Sequence, residues 1–457
     1  MRSTRNRFAA VAACLIVLIA AVNVSASPAP EGVREVNITH TPYYRSGEPE
    51  IAVNPRNQKN LVYVATYHKQ HETPVPGVDV PPFPYQFGGE EVLGNGDLQC
   101  VVSYSFDNGD TWQNSLLPVA PLYGCSDPMV AAAPDGTFYA AFDWLGSPYL
   151  DNIPGQNLQV GVVRSTDGGR NWSDPVSTGT EVDRPMFRVD PSTGWLYEES
   201  GLATRLLSIS KDRGATWTVV KPPVAEVFPA VAVQQPGYSG FPGTHLAVNH
   251  NVVATAVAAT AAAGPVPAND MQLATLDATL SSDNPGYGVW TMKPVPNSAG
   301  GSGDWVSADP AVPGRFAVMQ AKGDDLQIFT TDDAGNTWSA PASIPAPGAN
   351  KEWFDYGPNH RMAVMWKATN TAGLIDVWSV ISTDGGHTWS RPLRVNSKSF
   401  PPESAQNGPG DDLSWALLGD RYAYFGWGDT RDHADSDSTD HPMVNAYFAR
   451  VPLTAYG

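Results

Sequence analysis

The chain has 457 residues, of which 46 are acidic and 28 are basic, so that its formal net charge is −18. This acidic excess argues against a nucleic-acid binder, whose lysines and arginines must neutralise phosphates. It also argues against binding to anionic lipid through a basic surface. The 42% of hydrophobic residues can bury a large core, which excludes a disordered chain. The 42 glycines and 41 prolines indicate frequent turns rather than long helices.

The first 26 residues have the pattern of a secretory signal peptide, and we expect them to be removed. Three arginines form a basic head, residues 8–22 are an apolar run, and Val24-Ser25-Ala26 reads as the cleavage site. No later segment is long and apolar enough to span a bilayer. The sequence therefore predicts a secreted, extracellular product, with association with the cell envelope as the alternative.

The mature chain has two cysteines, Cys100 and Cys125. In an oxidising compartment two cysteines 25 residues apart can pair, and we predict a disulfide between them. The alternative is a pair of buried free thiols. Two cysteines alone cannot build a structural zinc site, which requires four ligands.

The pattern Ser/Thr-x-Asp-x-Gly-x-x-Trp occurs five times along the chain. The copies are SFDNGDTW (105–112), STDGGRNW (165–172), SKDRGATW (210–217), TDDAGNTW (331–338) and STDGGHTW (382–389). A degraded sixth copy with one extra residue spans 281–290. In such a segment the Asp and Ser side chains can bond backbone N–H groups of a tight turn, while Gly takes the positive φ. Successive copies are 45 to 71 residues apart, which suits one four-stranded antiparallel sheet per repeat.

A second repeated element, an extended apolar segment followed by a Pro-centred turn, stands upstream of the boxes. Its clear copies are GEPEIAVNP (47–55), SDPMVAAAPDG (126–136), DRPMFRVDPSTG (183–194) and GDWVSADPAVPG (303–314), and its weaker copies begin near Phe228, Glu352 and Asp411. These seven segments predict seven inner strands. The last unit lacks a fourth strand, which residues 33–40 can supply. We therefore predict an all-β fold, a seven-bladed β-propeller of four-stranded antiparallel blades formed by residues 27–457, with six blades as the alternative.

The five boxes resemble the Asp-box, or BNR, repeat of sialidases and related β-propellers. Through the flanking strands, the resemblance covers nearly all of the mature chain. Six is the blade number of the sialidases. Asp boxes are structural in that family, so the repeat alone implies the fold and no activity.

Strand direction in the predicted blades separates two faces of the propeller. The Asp boxes and the Pro-centred turns lie together on one face, called the turn face. The loops between second and third strands, and the crossovers between blades, lie on the opposite face, called the loop face. Long irregular loops on a rigid scaffold usually carry function, and these include 68–97, 143–156 and 428–442.

The residues that enter the inner strands on the loop face are unusually polar. They include Glu48, Glu50, Asp127, Asp183, Arg184, Asp304, Glu352, Asp411 and Asp412, with Trp144, Trp305 and Trp353 nearby. Carboxylates accept hydrogen bonds from sugar hydroxyls, and crowded carboxylates can have the raised pKa that a general acid in glycoside hydrolysis needs. This ring predicts a carbohydrate site. Each carboxylate could instead bond backbone N–H groups, and each indole could serve blade packing.

The resemblance to sialidases also implies roles for particular residues. Sialidases hold the substrate carboxylate with three arginines and use a Tyr nucleophile paired with a Glu, together with an Asp acid/base. Residues that could fill these roles are Arg45, Arg184 and Arg431 for the clamp, Tyr197 with Glu199 or Tyr356 with Glu352 for the nucleophile, and Asp127 or Asp183 for the acid. Arg45 is followed by Ser46-Gly47, where the family has Ile-Pro.

Two functions from different classes follow. The first is an exported exo-glycosidase of the sialidase-like type, with Trp144 and Trp353 in substrate binding. The second is a non-catalytic propeller that binds glycans or proteins. Neither requires a cofactor, and we expect a monomer. The acidic run 429–441 could bind a structural calcium through Asp432, Asp435, Asp437 and Asp440, although its spacing is not that of an EF-hand and a solvated loop is the alternative.

Overall fold

A computed structural model of the chain describes residues 32–39, 44–69, 98–119, 124–145, 158–181, 184–201, 206–220, 245–257, 270–281, 284, 287–402, 413–431 and 444–457. These residues form seven antiparallel sheets of four strands each. The helix within these ranges is limited to two short 3-10 turns, Pro358–His360 and Leu453–Tyr456. The prediction of an all-β propeller with seven blades is confirmed, and the six-bladed alternative is wrong.

The strands follow one another regularly from blade to blade. After β1 (Arg34–Asn37), the first blade has β2 (Tyr44–Val53), β3 (Leu61–Lys69), β4 (Leu98–Ser105) and β5 (Gln113–Leu116), and the second has β6 (Gly124–Ala132), β7 (Phe138–Leu145), β8 (Leu158–Ser165) and β9 (Val176–Ser177). The third has β10 (Met186–Val189), β11 (Leu196–Ser200), β12 (Leu206–Ser210) and β13 (Thr218–Val220), and the fourth has β14 (Ala247–Asn249), β15 (Val252–Val257), β16 (Gln272–Asp277) and β17 (Thr291–Pro294). The fifth has β18 (Ser302–Ala308), β19 (Phe316–Lys322), β20 (Asp325–Thr331) and β21 (Ala342–Pro345), and the sixth has β22 (Ala349–Tyr356), β23 (Met362–Thr369), β24 (Ile375–Ser382) and β25 (Leu393–Arg394).

The seventh blade joins the two ends of the described chain. It consists of β26 (Trp415–Leu418), β27 (Tyr422–Asp429), β28 (Asn445–Pro452) and, as its outer strand, β1. Strand β1 pairs antiparallel with β28, with Arg34 opposite Arg450 and Asn37 opposite Tyr447. Since the first strand of each blade contacts the first strands of its neighbours, these strands surround a central channel.

The inner strand of the fourth blade is not where the sequence placed it. It is β14, whereas the predicted position near Phe228 lies outside the described residues. The reason is the turn that follows β14, which consists of His250 and Asn251 in left-handed conformations (φ 49° and 63°). This blade therefore lacks the Pro-centred turn that follows the clear copies of the repeat.

The Asp boxes form tight turns on the turn face. In the first box, Ser105 Oγ accepts a hydrogen bond from the Gly109 amide at 2.8 Å. Asp107 Oδ1 accepts one from the Thr111 amide, also at 2.8 Å. Trp112 Nε1 donates back to the Gly109 carbonyl at 3.2 Å. The Ser/Thr-to-Gly bond recurs in the other four complete boxes, so the repeated residues satisfy the turn's own backbone.

The core lies between the blades, and one covalent link crosses between two of them. Large side chains such as Tyr63, Phe138 and Phe316 are fully buried. Cys100 in β4 and Cys125 in β6 form a disulfide with their Cα atoms 5.4 Å apart. This bond ties the third strand of the first blade to the inner strand of the second.

Candidate functional site

Five blades have a left-handed residue at the same position of the inner-strand repeat, which in the third blade lies two residues before β10. These residues are Glu48 (φ 53°), Asp127 (φ 47°), Arg184 (φ 53°), Gly303 (φ 101°) and Lys351 (φ 55°). In four of these blades the strand register shifts at this residue, which marks a β-bulge. Four of the five are charged, although a left-handed conformation costs a residue with a Cβ about 1 kcal/mol. We call these five residues the bulge ring; they lie in the loop-face half of the inner strands.

The bulges of the first two blades are directly connected. The Thr66 hydroxyl, in β3, donates to Glu48 Oε2 at 2.6 Å. Thr66 Oγ1 in turn accepts a hydrogen bond from the Asp127 amide at 3.2 Å. Both acidic side chains are largely buried, each with 9% of its surface exposed. Thr66 thus links the Glu48 carboxylate of the first blade to the backbone of the bulge in the second blade.

Blades four to seven contribute an acidic and aromatic arc beside the bulge ring. His245 Nδ1 lies 3.1 Å from Asp304 Oδ1, and the His245 ring is 5.5 Å from the indole of Trp353. Trp353 stacks on Trp415 with the ring centroids 4.0 Å apart. Burial raises the pKa of Glu352, against an opposing effect of the Lys351 ammonium. The arc therefore offers a carboxyl group that holds its proton more tightly than an exposed glutamate.

Deeper in the channel, Arg188 lies between two buried carboxyl groups. Its Nη1 is 3.6 Å from Glu50 Oε1, while Glu50 Oε2 accepts the Val130 amide at 2.7 Å. Asp355 accepts hydrogen bonds from the Ser307 hydroxyl and from its neighbour's amide. Burial raises the pKa of both Glu50 and Asp355, and the Arg188 charge opposes this rise.

The sequence interpretation did not single out Arg188, Asp355 or His245. A signal for Arg188 was present, because the aligned copies of the inner-strand repeat have Ala52 and Ala131 where the third copy has this arginine. A charged residue that replaces alanine in a repeat is a departure that packing does not require. For His245 no signal existed, since the repeat is not recognisable in its blade.

The predicted nucleophile Tyr197 and the predicted clamp residue Arg431 both make contacts within the fold. Tyr197 is fully buried at the turn-face end of β11, and its hydroxyl donates to Asn251 Oδ1 at 2.9 Å. Burial raises its pKa. Arg431 pairs with Glu35 Oε1 and with Asp429 Oδ2, both at 2.7 Å. Its guanidinium therefore fastens β27 to the closing strand β1.

The other predicted residues are distributed as follows. Trp144 is buried between the first two blades, next to the disulfide. Glu199 is buried in β11 opposite Met186. Its neighbour Glu198 accepts the Thr180 hydroxyl at 2.6 Å, and burial raises the Glu198 pKa to about 7. Tyr356 is buried and donates to the Gly385 carbonyl at 3.4 Å.

Some predicted residues fall outside the described part of the chain. This is the case for Asp183, Asp411 and Asp412, and for the four acidic residues of the predicted calcium loop. Arg45 lies in β2 opposite His68, and its side chain is not described. Of the predicted site residues, the structure thus brings Asp127 and Arg184 into the bulge ring, with Glu352 and Trp353 in the adjacent arc.

The family model of the BNR/Asp-box repeat matches residues 380–391, which contain the fifth box. No curated protein matches the chain significantly. Among solved structures, a protein of unknown function from Dyadobacter fermentans is 15% identical, with 92% of this chain and 100% of that chain covered and a TM-score of 0.44. A Hadza microbial sialidase is 16% identical over 92% and 67% of the two chains, with a TM-score of 0.43. YCF48 from Cyanidioschyzon merolae is 12% identical over 92% and 98%, also with a TM-score of 0.43.

The chain is a seven-bladed β-propeller with Asp-box turns, one of which matches the BNR/Asp-box repeat. It spans 60% of the length of Trypanosoma rangeli sialidase. Within the described residues, no helix is long and apolar enough to cross a bilayer. The same residues contain no group of three or more His, Cys, Asp or Glu side chains that could hold a metal ion.

Proposed function

We propose that this propeller is a glycoside hydrolase that acts on terminal sugars of glycans at its loop face. The observation that carries the proposal is the bulge ring, where four charged residues occupy left-handed conformations at one level of the channel. Backbone strain of this kind persists where the surrounding structure enforces it, and it concentrates at functional sites. A ring with two acidic and two basic side chains can both donate to and accept from sugar hydroxyls.

The roles follow from burial and charge. Glu352, whose pKa is raised by burial, serves as the general acid that protonates the leaving oxygen. Asp127 and the predicted Asp183 are the candidates for the second carboxylate. Arg184 and Lys351 supply cations for an acidic substituent of the sugar, if it has one. The substrate would thus be held between groups from the second, third and sixth blades.

A panel of methylumbelliferyl glycosides, a sialoside included, tests this proposal. We expect wild-type protein to hydrolyse at least one member of the panel. Glu352→Gln and Asp127→Asn should each lower kcat about a hundredfold or more, because general acid–base groups contribute about 10²–10⁴ to the rate. The matched control is Asp135→Asn, the same kind of change in a turn of the opposite face. Hydrolysis unaffected by both site variants would refute the assignment.

A non-catalytic, glycan-binding propeller is the second candidate. It is supported by the contacts of Tyr197 and Arg431, since both residues that the sialidase mechanism would need are engaged in packing. If no glycoside is cleaved but immobilised glycans are retained, and if Asp127→Asn releases them, this second function is correct.

Export is part of the same proposal. The pattern of residues 1–26 favours a cleaved signal peptide, and the disulfide between Cys100 and Cys125 suits an oxidising compartment. N-terminal sequencing of protein collected from the culture medium should begin at Ser27. A product that retains Met1 inside the cell would contradict secretion.

A further inference from the structure

The turn-face half of the central channel contains a cavity of about 410 Å³ that is separate from the bulge ring. Its walls come from the inner strands of the first, second, third, sixth and seventh blades and from the turns that follow them. The volume lies within the range of about 300–1,000 Å³ that small-molecule sites occupy. The hydrolysis and the glycan binding proposed for the loop face do not use this cavity.

Arg188 is the one cationic side chain among the described residues that line the cavity. The guanidinium has five N–H donors, and within the described residues it makes a single hydrogen bond, from Nη1 to the Phe187 carbonyl at 2.8 Å. The nearest acid, Glu50, lies 3.6 Å from Nη1, beyond a good hydrogen bond. Most of the donors of this arginine thus remain available to a ligand.

The indole of Trp415 lines the same cavity, next to the guanidinium. Trp415 is 3% exposed, and its Nε1 is buried without a hydrogen-bond partner among the described residues. The Arg188 guanidinium lies over this indole, 5.0 Å from the ring centroid, so an aromatic wall adjoins the cationic donors of the cavity.

Carboxyl groups line the same cavity, and they belong to Glu50, Asp355 and Asp420. A monoanion would meet these carboxyl groups, and a cation would meet the Arg188 guanidinium. A hydroxyl group can donate to a carboxyl oxygen and accept a hydrogen bond from the guanidinium. We propose that this cavity binds an uncharged, polyhydroxylated molecule of about monosaccharide size.

An isosteric series of sugars distinguishes the ligand's charge. The probes are glucose and galactose (neutral), glucosamine (cationic) and glucuronate (anionic), and binding is measured by saturation-transfer NMR and calorimetry at pH 7. We expect a neutral sugar to bind more tightly than either charged analogue. Tighter binding of glucuronate or glucosamine, or no binding at all, would overturn the proposal.

Substitution of two alanines, each at the end of an inner strand, tests whether the sugar binds in this cavity. Ala132 ends β6 and lines the cavity, whereas Ala308 ends β18 and is not among the lining residues. Ala132→Leu should weaken sugar binding at least about tenfold by filling the cavity, while Ala308→Leu should leave it unchanged. Equal effects of the two variants would place the ligand elsewhere.

Arg188→Met tests the proposed donor. Removing one charged hydrogen bond should weaken binding about tenfold or more. Since this change also leaves Glu50 and Asp355 without their buried cation, circular dichroism must show that the variant is folded. If it is not folded, the alanine pair decides the question. A folded Arg188→Met variant that binds like wild type would contradict the role of the guanidinium.

Discussion

The Asp boxes and the bulge ring are both repeated features of this propeller, but they repeat in different ways. In the boxes, backbone and side chains recur together, so that Ser105 and Asp107 make the same contacts as their counterparts in the other boxes. In the bulge ring the backbone recurs, with φ between 47° and 101°, while the residue changes from Glu to Asp, Arg, Gly and Lys. A side chain that repeats with its turn has a structural task, whereas one that varies on a fixed backbone is available for function.

The largest expected effect is a difference in the free energy of unfolding between variants of two loop-face arginines, Arg431 and Arg184. Arg431 is paired with two carboxylates and has 10% of its side chain exposed. Arg431→Met leaves Glu35 and the buried Asp429 unpaired, and we expect the free energy of unfolding to fall by about 3–5 kcal/mol. Arg184→Met in the bulge ring should change it by less than about 1 kcal/mol. Urea unfolding of both variants measures the difference; a larger loss for Arg184→Met would reverse the comparison.

Two glycines at the same position of different boxes give a matched pair. A Cβ on Gly168 would meet the Phe106 ring at 2.7 Å and Asn60 Oδ1 at 2.9 Å, whereas a Cβ on Gly385 meets nothing within 4 Å. Both have positive φ (82° and 75°). Gly385→Ala should therefore cost about 1 kcal/mol from the backbone alone, and Gly168→Ala about 1–2 kcal/mol more. Thermal unfolding of the two variants tests this order. Equal losses of stability would show that Phe106 and Asn60 move aside at little cost in free energy.

The boxes and the arc should respond to pH in opposite directions. Side-chain and backbone hydrogen bonds from Thr111 lower the pKa of Asp107 to about 2 despite partial desolvation. Its stabilising contribution is present above the unfolded value near 4 and is lost as the pH falls toward 2. The folded pKa of Glu352 is raised, so its protonation favours the fold and stability falls as the pH rises above the unfolded value.

The corresponding variants isolate the two carboxyl groups. Asp107→Asn should destabilise the protein at pH 7 and have little effect at pH 2. Glu352→Gln should stabilise it at pH 8 and have little effect at pH 4. Unfolding free energies across this range are the measurement. A Glu352→Gln variant that is least stable at high pH would show that the charged form of the acid supports the fold.

The smallest effect concerns the strain of the bulge ring itself. Lys351→Gly relieves a left-handed conformation (φ 55°) at a position where the fifth blade already has Gly303. We expect stability to stay constant or to rise by up to about 1 kcal/mol. A clear loss of stability would mean that the Lys351 side chain is itself a structural requirement of its blade.

The architecture could be predicted because its determinants are local and repeated. A box such as 382–389 specifies its turn by residues within eight positions, and its recurrence gives the blades. The position of the inner strand of the fourth blade was not predicted, because the two-residue turn at His250 and Asn251 that follows it contains no proline. The contacts of the channel side chains could not be predicted, since they join blades that are far apart in the sequence. Arg188 and Glu50 meet although 138 residues separate them.

The dependence on contacts between blades also explains why some predicted site residues have other contacts in the structure. Tyr197 lies at the turn-face end of its strand and bonds Asn251 of the next blade, while Arg431 lies on the loop face but pairs with Glu35 of the closing strand. Sequence pattern gives the level of a residue along a strand. It does not give the direction in which a long side chain turns, or the group that it meets there.

The central claim is that the variable bulge residues carry function and the constant box residues do not. The most direct test compares kcat/KM for the best glycoside of the panel in Asp127→Asn and Asp107→Asn, each assayed where it is fully folded. We predict a loss of about a hundredfold or more for the bulge variant and less than about twofold for the box variant. Equal losses in the two variants, or a larger loss for Asp107→Asn, would contradict the account.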